Sequence, residues 1–385
     1  MSIFIERAIK NIFIHKLQAN KVLILAGARR VGKTLFLKNL MDNYFEEPFL
    51  LLNGEEISTA AVLSERTVEN YKRLLGEKRL LIIDEAQKIP DIGLILKLMI
   101  DSIEGLKIIA TGSSVFDMTN KLGEPLTGRK YTFMMFPFAQ MEFSKYENLV
   151  ETKSRLEERI IYGSYPELYF LKSNTDKRDY LNEIVSSYLL KDILEIDGIK
   201  NSSKMLNLIR LVAFQNGKEV SLEELGRQLG LSRNTVERYL DLLSKVFVIY
   251  KLPGFSRNLR TEIVKTSRWY FYDNGILNTL LNNFNPLSLR KDTGELWENY
   301  VLSERLKHQQ YTGLYTNNYF WRTYQQQEID WIEEREGKLF ATEIKWNPRK
   351  TPKAPSAWAK AYPESRYQVI TPGNYLDWVD PVLLA

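Results

Sequence analysis

Gly27-Ala28-Arg29-Arg30-Val31-Gly32-Lys33-Thr34 is the stretch on which the reading of this 385-residue chain turns. An apolar run at residues 22–25 precedes it and a helical pattern at residues 35–41 follows. Two glycines flanking four residues, then Lys-Thr, allow a tight loop whose backbone N–H groups point inward at phosphate oxygens. A helix that starts at the loop adds the partial positive charge of its first turn. On this reading Gly27, Ala28, Arg29, Arg30, Val31, Gly32, Lys33, Thr34 and Leu35 cradle a nucleotide. Lys33 reaches the β- and γ-phosphates, and the Thr34 hydroxyl sits on Mg²⁺. The expected cofactors are ATP and Mg²⁺. A chance glycine turn in an α/β protein is the competing explanation, and the strand before the motif and the helix after it argue against it.

The segments downstream sharpen the reading. Arg79-Leu80-Leu81-Ile82-Ile83-Asp84-Glu85 is an apolar strand that ends in two acids. Such a strand carries its first acid, Asp84, to the magnesium site beside the loop, and Glu85 can then activate the attacking water as general base. The next apolar run, residues 107–111, ends in Gly112-Ser113-Ser114. It is expected between the phosphate loop and Asp84, with Thr111 or Ser113 sensing the γ-phosphate; a capped turn is the competing explanation of either residue. Arg129, in Leu126-Thr127-Gly128-Arg129, is a candidate arginine finger serving a neighbouring subunit, or else an ordinary solvated arginine.

Composition narrows the chemistry. Hydrophobic residues make up 44% and charged residues 26%, enough apolar surface to exclude wholesale disorder. With no cysteine there is no disulfide, thiolate nucleophile or iron–sulfur site. The two histidines, His15 and His308, leave little for a Ser-His-Asp triad or a His-rich metal centre. Chemistry must rest on carboxylates, lysines, hydroxyls and bound metal. No apolar run approaches the roughly 20 residues that span a bilayer, and the amino-terminal segment lacks a secretory pattern, so a soluble, cytoplasmic protein without a membrane partner is expected.

Taken in order and spacing, GARRVGKT, LLIIDEAQ, ATGSS and LTGR resemble AAA-type ATPases. More narrowly they are similar to a large bacterial and archaeal family with the ATPase in its amino-terminal half and a domain of unknown function in its carboxyl-terminal half. Gly163-Ser164-Tyr165-Pro166-Glu167 and Tyr188-Leu189-Leu190-Lys191-Asp192-Ile193 are similar to that family's pattern too. The resemblance implies ATP binding and hydrolysis at subunit interfaces of a ring or smaller homo-oligomer.

The expected fold class is α/β: a P-loop AAA-type parallel sheet over residues 1–145, from short apolar strands alternating with helices. A helical lid or connector follows at 146–215, a winged helix at 216–275, and a restriction-endonuclease-like α+β domain at 276–385. In the third segment Ser221 and Ser232 are natural N-caps of two helices joined by a short turn through Gly230. Val236, Leu240 and Leu243 fall on the inner face of the second helix, leaving Arg233, Asn234 and Arg238 to face a groove. Residues 247–252 and 268–272 would make the strands of a wing. Residues 225–272 hold nine Lys/Arg against three Asp/Glu, a local charge of 9 − 3 = +6 in a chain whose formal net charge is +5. Arg257, Arg260, Lys265 and Arg268 are placed in or beside the wing as phosphate contacts. DNA is the expected partner; packing or oligomerisation through the same module is the alternative.

Near the carboxyl terminus, Glu328-Ile329-Asp330 and Glu343-Ile344-Lys345 flank a turn at Glu334-Arg335-Glu336-Gly337. Residues two apart share a strand face, so Glu343 and Lys345 project together, with Asp330, or Glu328 in its place, beside them. This D…E-x-K pattern is that of PD-(D/E)xK nucleases, in which Asp330 and Glu343 would hold Mg²⁺ and Lys345 would orient water. Glu298 resembles the helical acid that such folds add, and Glu295 lies one turn earlier. Intact acids do not by themselves make a nuclease, since such a fold can also bind DNA without cutting. The function expected is an ATP-hydrolysing protein that remodels or processes DNA. The alternative is a nucleotide-dependent switch or scaffold for protein partners.

Overall fold

The computed structural model describes residues 4–113, 126–189, 202–256 and 267–380. The chain divides into two compact units: Glu6–Phe136 together with Lys245–Phe247, and the rest of the described chain.

Five strands build the first unit: β1 (Lys21–Ala26), β2 (Phe49–Asn53), β3 (Leu80–Asp84), β4 (Lys107–Gly112) and β5 (Lys130–Met134). All neighbouring pairs are parallel, in the order β2-β3-β4-β1-β5. The strands expected at residues 22–25, 79–85 and 107–111 are present as β1, β3 and β4. Central β1, β3 and β4 are buried at nearly every position, whereas the edge strands β2 and β5 are half-buried. That difference follows from helices covering both faces of the sheet centre. Ile95, Leu96 and Met99 of the helix Ile92–Ser102 pack with Leu81, Ile83 and Ile108 in one core. Because β4 lies between β1 and β3, the loops after these three strands open side by side at the carboxyl edge, where ligands bind in open α/β sheets.

In the second unit, helices Leu149–Tyr162, Asn174–Glu183 and Asn274–Leu281 come together. Helix Asn174–Glu183 passes into a wider π turn at Ile184–Leu189; residues 190–193 of the Tyr188–Ile193 segment lie outside the described residues. The buried amides of Asn274 and Asn278 donate to the Ile160 carbonyl at 3.0 and 3.1 Å, and Asn278 also donates to that of Ile161 at 2.7 Å. These carbonyls belong to the last turn of Leu149–Tyr162, which has no helical donors left for them. Asp273 caps the helix Asn274–Leu281 and accepts from the Ser164 N–H at 2.8 Å. Gly163 is required there: a Cβ would lie 2.0 Å from Asp273 Oδ1, at a φ of +76°.

Helices Leu222–Leu229 and Arg233–Lys245 precede the antiparallel strands β7 (Ile249–Pro253) and β8 (Ser267–Phe271), and short β6 (Glu219–Val220) completes the order β6-β8-β7. The long helix Thr293–Thr312 leads to a second sheet, β12-β11-β10-β9, made of β9 (Asn317–Arg322), β10 (Glu328–Arg335), β11 (Lys338–Ile344) and β12 (Arg366–Ile370). β9, β10 and β11 pair antiparallel, and β12 lies parallel to β11. Glu336 and Gly337 turn the β10–β11 hairpin with φ of 50° and 73°, as a two-residue type I′ turn requires. Trp321, Ile329, Ile332, Leu339 and Trp358 form its core. Among the described residues no helix is long and apolar enough to cross a membrane.

Candidate functional site

β1 ends at Ala26 and the helix Lys33–Asn43 begins seven residues later, so the loop Gly27–Gly32 spans strand and helix as its motif requires. Arg30 and Gly32 both take left-handed φ, 65° and 93°, which folds the loop tightly. A Cβ on Gly27 would stand 2.2 Å from the Met135 carbonyl oxygen, so glycine alone fits beside β5. Buried Arg7 braces the loop from behind, donating to the Val31 carbonyl at 2.8 Å and that of Phe136 at 2.6 Å. No motif in the sequence pointed to Arg7.

Lys33 is buried, and its ammonium folds back over the loop to donate to the carbonyls of Gly27 at 2.8 Å and Ala28 at 3.0 Å. Ala28 and Val31 are buried, Arg29 half-buried, and Arg30, Thr34 and Leu35 exposed. The Thr34 hydroxyl donates to Asp84 Oδ2 at 2.8 Å, and Thr111 donates to Asp84 Oδ1. Thr111 Oγ1 in turn accepts the Glu85 N–H at 3.0 Å. The fully buried Thr111 therefore ties the end of β4 to the end of β3. A hydroxyl and a carboxylate converging at the helix start are hard oxygen donors of the kind Mg²⁺ takes, so Thr34 and Asp84 fit that ion.

Glu85 has φ 52°, a left-handed conformation that costs a non-glycine residue about 1–2 kcal/mol. Its carboxylate accepts from Gln87 Nε2 at 2.5 Å, and the same amide reaches Ser113 Oγ at 3.2 Å. Thr111 thus contacts Asp84, whereas Ser113 connects to Glu85 through Gln87. The sequence reading gave Gln87 no role; its burial, at 4% exposure, is visible only in the fold.

Arg129 stands elsewhere. Lys130 pairs with Val22 near the start of β1, so Arg129 lies at the opposite edge of the sheet from the loop, roughly 13 Å away along four residues of strand. Its Nε donates to Asp101 Oδ1 at 2.6 Å. Arg129 does not reach the phosphate loop of its own chain.

In the helix–turn–helix segment, Ser221 Oγ accepts from the Glu224 N–H and Ser232 Oγ from the Thr235 N–H, each at 3.2 Å. Val236, Leu240 and Leu243 are fully buried, while Arg233, Asn234 and Arg238 are exposed. Arg233 forms a solvent-exposed ion pair with Glu223 at 3.1 Å, weak enough to be exchanged for another anion. Arg257, Arg260 and Lys265 lie outside the described residues.

Arg268 corrects the sequence reading. It was expected on an exposed wing as a DNA contact, yet it is 5% exposed, on a strand whose next three residues are buried as well. Its guanidinium donates to Glu328 Oε2 at 2.8 Å, lies 3.7 Å from Asp330 Oδ1 and stacks over the Phe320 ring at 4.6 Å. Burial opposes its charge, but Tyr270, Glu298, Asp330 and Glu328 outweigh burial and hold its pKa above the usual range.

The partners of Arg268 are the expected carboxyl-terminal acids. Trp331 pairs with Thr342 across the β10–β11 hairpin, which brings Asp330 beside Glu343. Buried Asp330, not the half-exposed Glu328, takes the inner place. Lys345 Nζ lies 2.5 Å from Glu343 Oε1 and 3.8 Å from Asp330 Oδ2, which also accepts the Ile344 N–H at 2.8 Å. Glu298 projects from its helix into the same cluster and accepts from the Tyr270 hydroxyl at 2.7 Å. Burial, reinforced by Asp330, lifts the Glu298 carboxyl to about 8 and that of Glu343 to about 7; burial raises Asp330 as well. Glu343 Oε2 is buried without a hydrogen-bond partner. Asp330, Glu343 and Lys345 are together, but among the described residues no three acids or histidines converge on a metal position. The cluster as it stands does not fit a divalent ion.

Residues 19–144 match the model of an AAA domain, residues 153–287 a domain of unknown function, DUF8612, and residues 293–381 another, DUF4143. An uncharacterized protein of Methanocaldococcus jannaschii is 28% identical over 309 residues, 75% of this chain and 67% of that protein. One from Mycobacterium tuberculosis is 27% identical over 332 residues, 84% of this chain and 70% of the relative. Among solved structures, the Walker-type ATPase of Pyrococcus abyssi superposes with a TM-score of 0.51 at 16% identity, covering 72% of this chain and 96% of that one, a likeness of fold. The chain thus combines an AAA-type P-loop domain, built on a five-stranded parallel sheet, with a carboxyl-terminal DUF4143 region.

Proposed function

We propose that this protein is an Mg²⁺-dependent ATPase that acts on DNA as a homo-oligomer. The observation that carries the ATPase reading is the joining of Thr34, Asp84 and Thr111 at the carboxyl edge of β1, β3 and β4, next to the loop that holds Lys33. Mg²⁺, when bound, neutralises charge on the phosphates; Thr34 and Asp84 are the residues that would hold it. Lys33 exchanges its two loop carbonyls for phosphate oxygens. Glu85 accepts the proton of the attacking water, and Gln87 keeps its carboxylate oriented, with Ser113 supporting Gln87. Thr111 couples the position of Asp84 to β4, which makes it the better γ-phosphate sensor of the two residues. Arg129 serves the site of a neighbouring subunit, a role its distance from its own loop permits.

The DNA half of the reading is supported by the exposed Arg233, Asn234 and Arg238 on the second of two capped helices that lead into the β7–β8 hairpin. We assign residues 216–275 as a winged helix, 146–215 as the connector from the ATPase core, and 276–385 as a nuclease-like domain. Fluorescence anisotropy with duplex and single-stranded DNA tests this half. Affinity should fall steeply as salt rises, by counterion release, and should fall further in Arg233→Ala/Arg238→Ala. Binding that ignores both salt and these substitutions favours the second reading, a nucleotide-dependent switch for protein partners. The charge compensation of Asp330 and Glu343 by Arg268 and Lys345 favours that reading's other element, a nuclease-like fold that does not cut.

A further inference from the structure

β8 delivers two side chains into the carboxylate cluster. Arg268 and Tyr270 are two residues apart on one strand and so share a face. Tyr270 donates to Glu298 Oε1, and Arg268 spans Glu328 and Asp330. An arginine keeps its charge at any pH a protein survives, and its planar guanidinium holds its donors in a fixed fork. It is therefore a permanent cation set against the acid on which a divalent ion would depend. Its Nε is buried without a hydrogen-bond partner, so the group is held by its two acids and by the Phe320 ring, not by a full set of donors and acceptors. Glu343 Oε2, also buried and unpartnered, is a free carboxylate oxygen in the same cluster. One ligand atom is thus left open while the neighbouring Asp330 carboxylate is already shared between Arg268 and Lys345.

We propose that Arg268 is an internal counter-ion that keeps the Asp330–Glu343 cluster free of divalent metal while β8 is seated. The inference rests on reading Asp330, Glu343 and Lys345 as a nuclease-like cluster, and it names what decides whether a metal enters. A divalent ion placed between Asp330 and Glu343 meets the repulsion of a guanidinium that cannot shed its proton. With Arg268 removed, the Asp330 and Glu343 oxygens face Lys345 as their one remaining cation in the cluster, and a hard divalent ion can compete for them. Because Arg268 belongs to the hairpin of the proposed DNA-binding module, a displacement of β8 would open the cluster.

The test counts Mn²⁺ bound to the full nucleotide-free chain by electron paramagnetic resonance, in the absence of DNA. Wild type is compared with Glu343→Gln, Arg268→Met, Arg268→Gln and Arg268→Met/Glu343→Gln, with each fold checked by circular dichroism and melting. Wild type and Glu343→Gln are expected to bind equal Mn²⁺. Arg268→Met should gain one Mn²⁺ per chain, and the second substitution should remove it. Arg268→Gln, which keeps a hydrogen bond to Glu328 without the charge, serves if the methionine variant does not fold, and it should gain the same ion. A Mn²⁺ in wild type that Glu343→Gln abolishes overturns the proposal. So does a folded Arg268 variant that gains none. An Arg268 variant that gains Mn²⁺ yet cuts no DNA upholds the counter-ion and rejects the nuclease-like chemistry.

Discussion

Replacing Glu298 by glutamine should stabilise the protein at alkaline pH and leave it unchanged in mild acid. Glu298 sits on the helix Thr293–Thr312 with its carboxylate against Tyr270, close to Asp330, and burial with that like charge raises its pKa from the usual 4.5 to about 8. The folded protein consequently retains a proton that the unfolded chain has lost between about pH 4.5 and pH 8. Stability falls as pH rises through that window, because the unfolded state binds fewer protons than the native one there. A free shift of this size has a ceiling of roughly 5 kcal/mol at about 1.4 kcal/mol per unit. The neighbouring carboxyls of Asp330 and Glu343 are raised by burial too and titrate together with it, so the share of one residue is roughly 1–3 kcal/mol. Glutamine accepts the same Tyr270 hydrogen bond and has no charge to bury. Differential scanning calorimetry of wild type and Glu298→Gln at pH 5, 7 and 8.5 should show a melting gap that grows from nearly nothing to about 2 °C or more. An equal gap at every pH would refute the reasoning, as would a variant that melts lower at pH 8.5.

Three further outcomes follow from named contacts. Gln87→Leu removes the amide that holds the Glu85 carboxylate and should lower ATP turnover about tenfold or more with little change in nucleotide affinity, read by steady-state kinetics and nucleotide binding. Arg233→Ala and Arg238→Ala should each reduce the slope of log affinity for DNA against log salt by about 1, measured by anisotropy titration at several ionic strengths. Gly163→Ala sets a Cβ 2.0 Å from Asp273 Oδ1 in a left-handed conformation, and should destabilise the second unit by about 2 kcal/mol or more, seen as a lowered melting transition.

Much of the nucleotide site is legible in the sequence because its backbone is dictated locally. β1, β3 and β4 are covered on both faces, so they read as unbroken apolar runs, and the polar residues that end them mark the edge where the site forms. Asp330, Glu343 and Lys345 could be brought together from the two-residue period of strands and one turn. The choice between Asp330 and Glu328 needed the register of the hairpin, which the Glu336-Gly337 turn sets.

Arg268 shows where such reading fails. Counting charges over residues 225–272 averages across the faces of a strand, and a basic residue in a basic segment is assigned to the surface by default. The contrary signal was present: Arg268 begins Arg-Trp-Tyr-Phe, a run apolar on both faces, which is the mark of a buried strand. What the sequence could not supply was the set of acids, 60 and 62 residues downstream, that make burial of the guanidinium affordable. Arg7 and Gln87 were missed for a related reason, since each acts through a partner that only the fold brings near.

The measurement closest to the central claim is ATP turnover by the pure protein in Mg²⁺, with and without single-stranded, duplex and branched DNA, beside Lys33→Ala. Lys33→Ala should abolish turnover, and one form of DNA should stimulate it in wild type. Turnover that survives in Lys33→Ala would contradict the assignment of the phosphate loop, and turnover indifferent to every DNA would contradict the DNA-acting role.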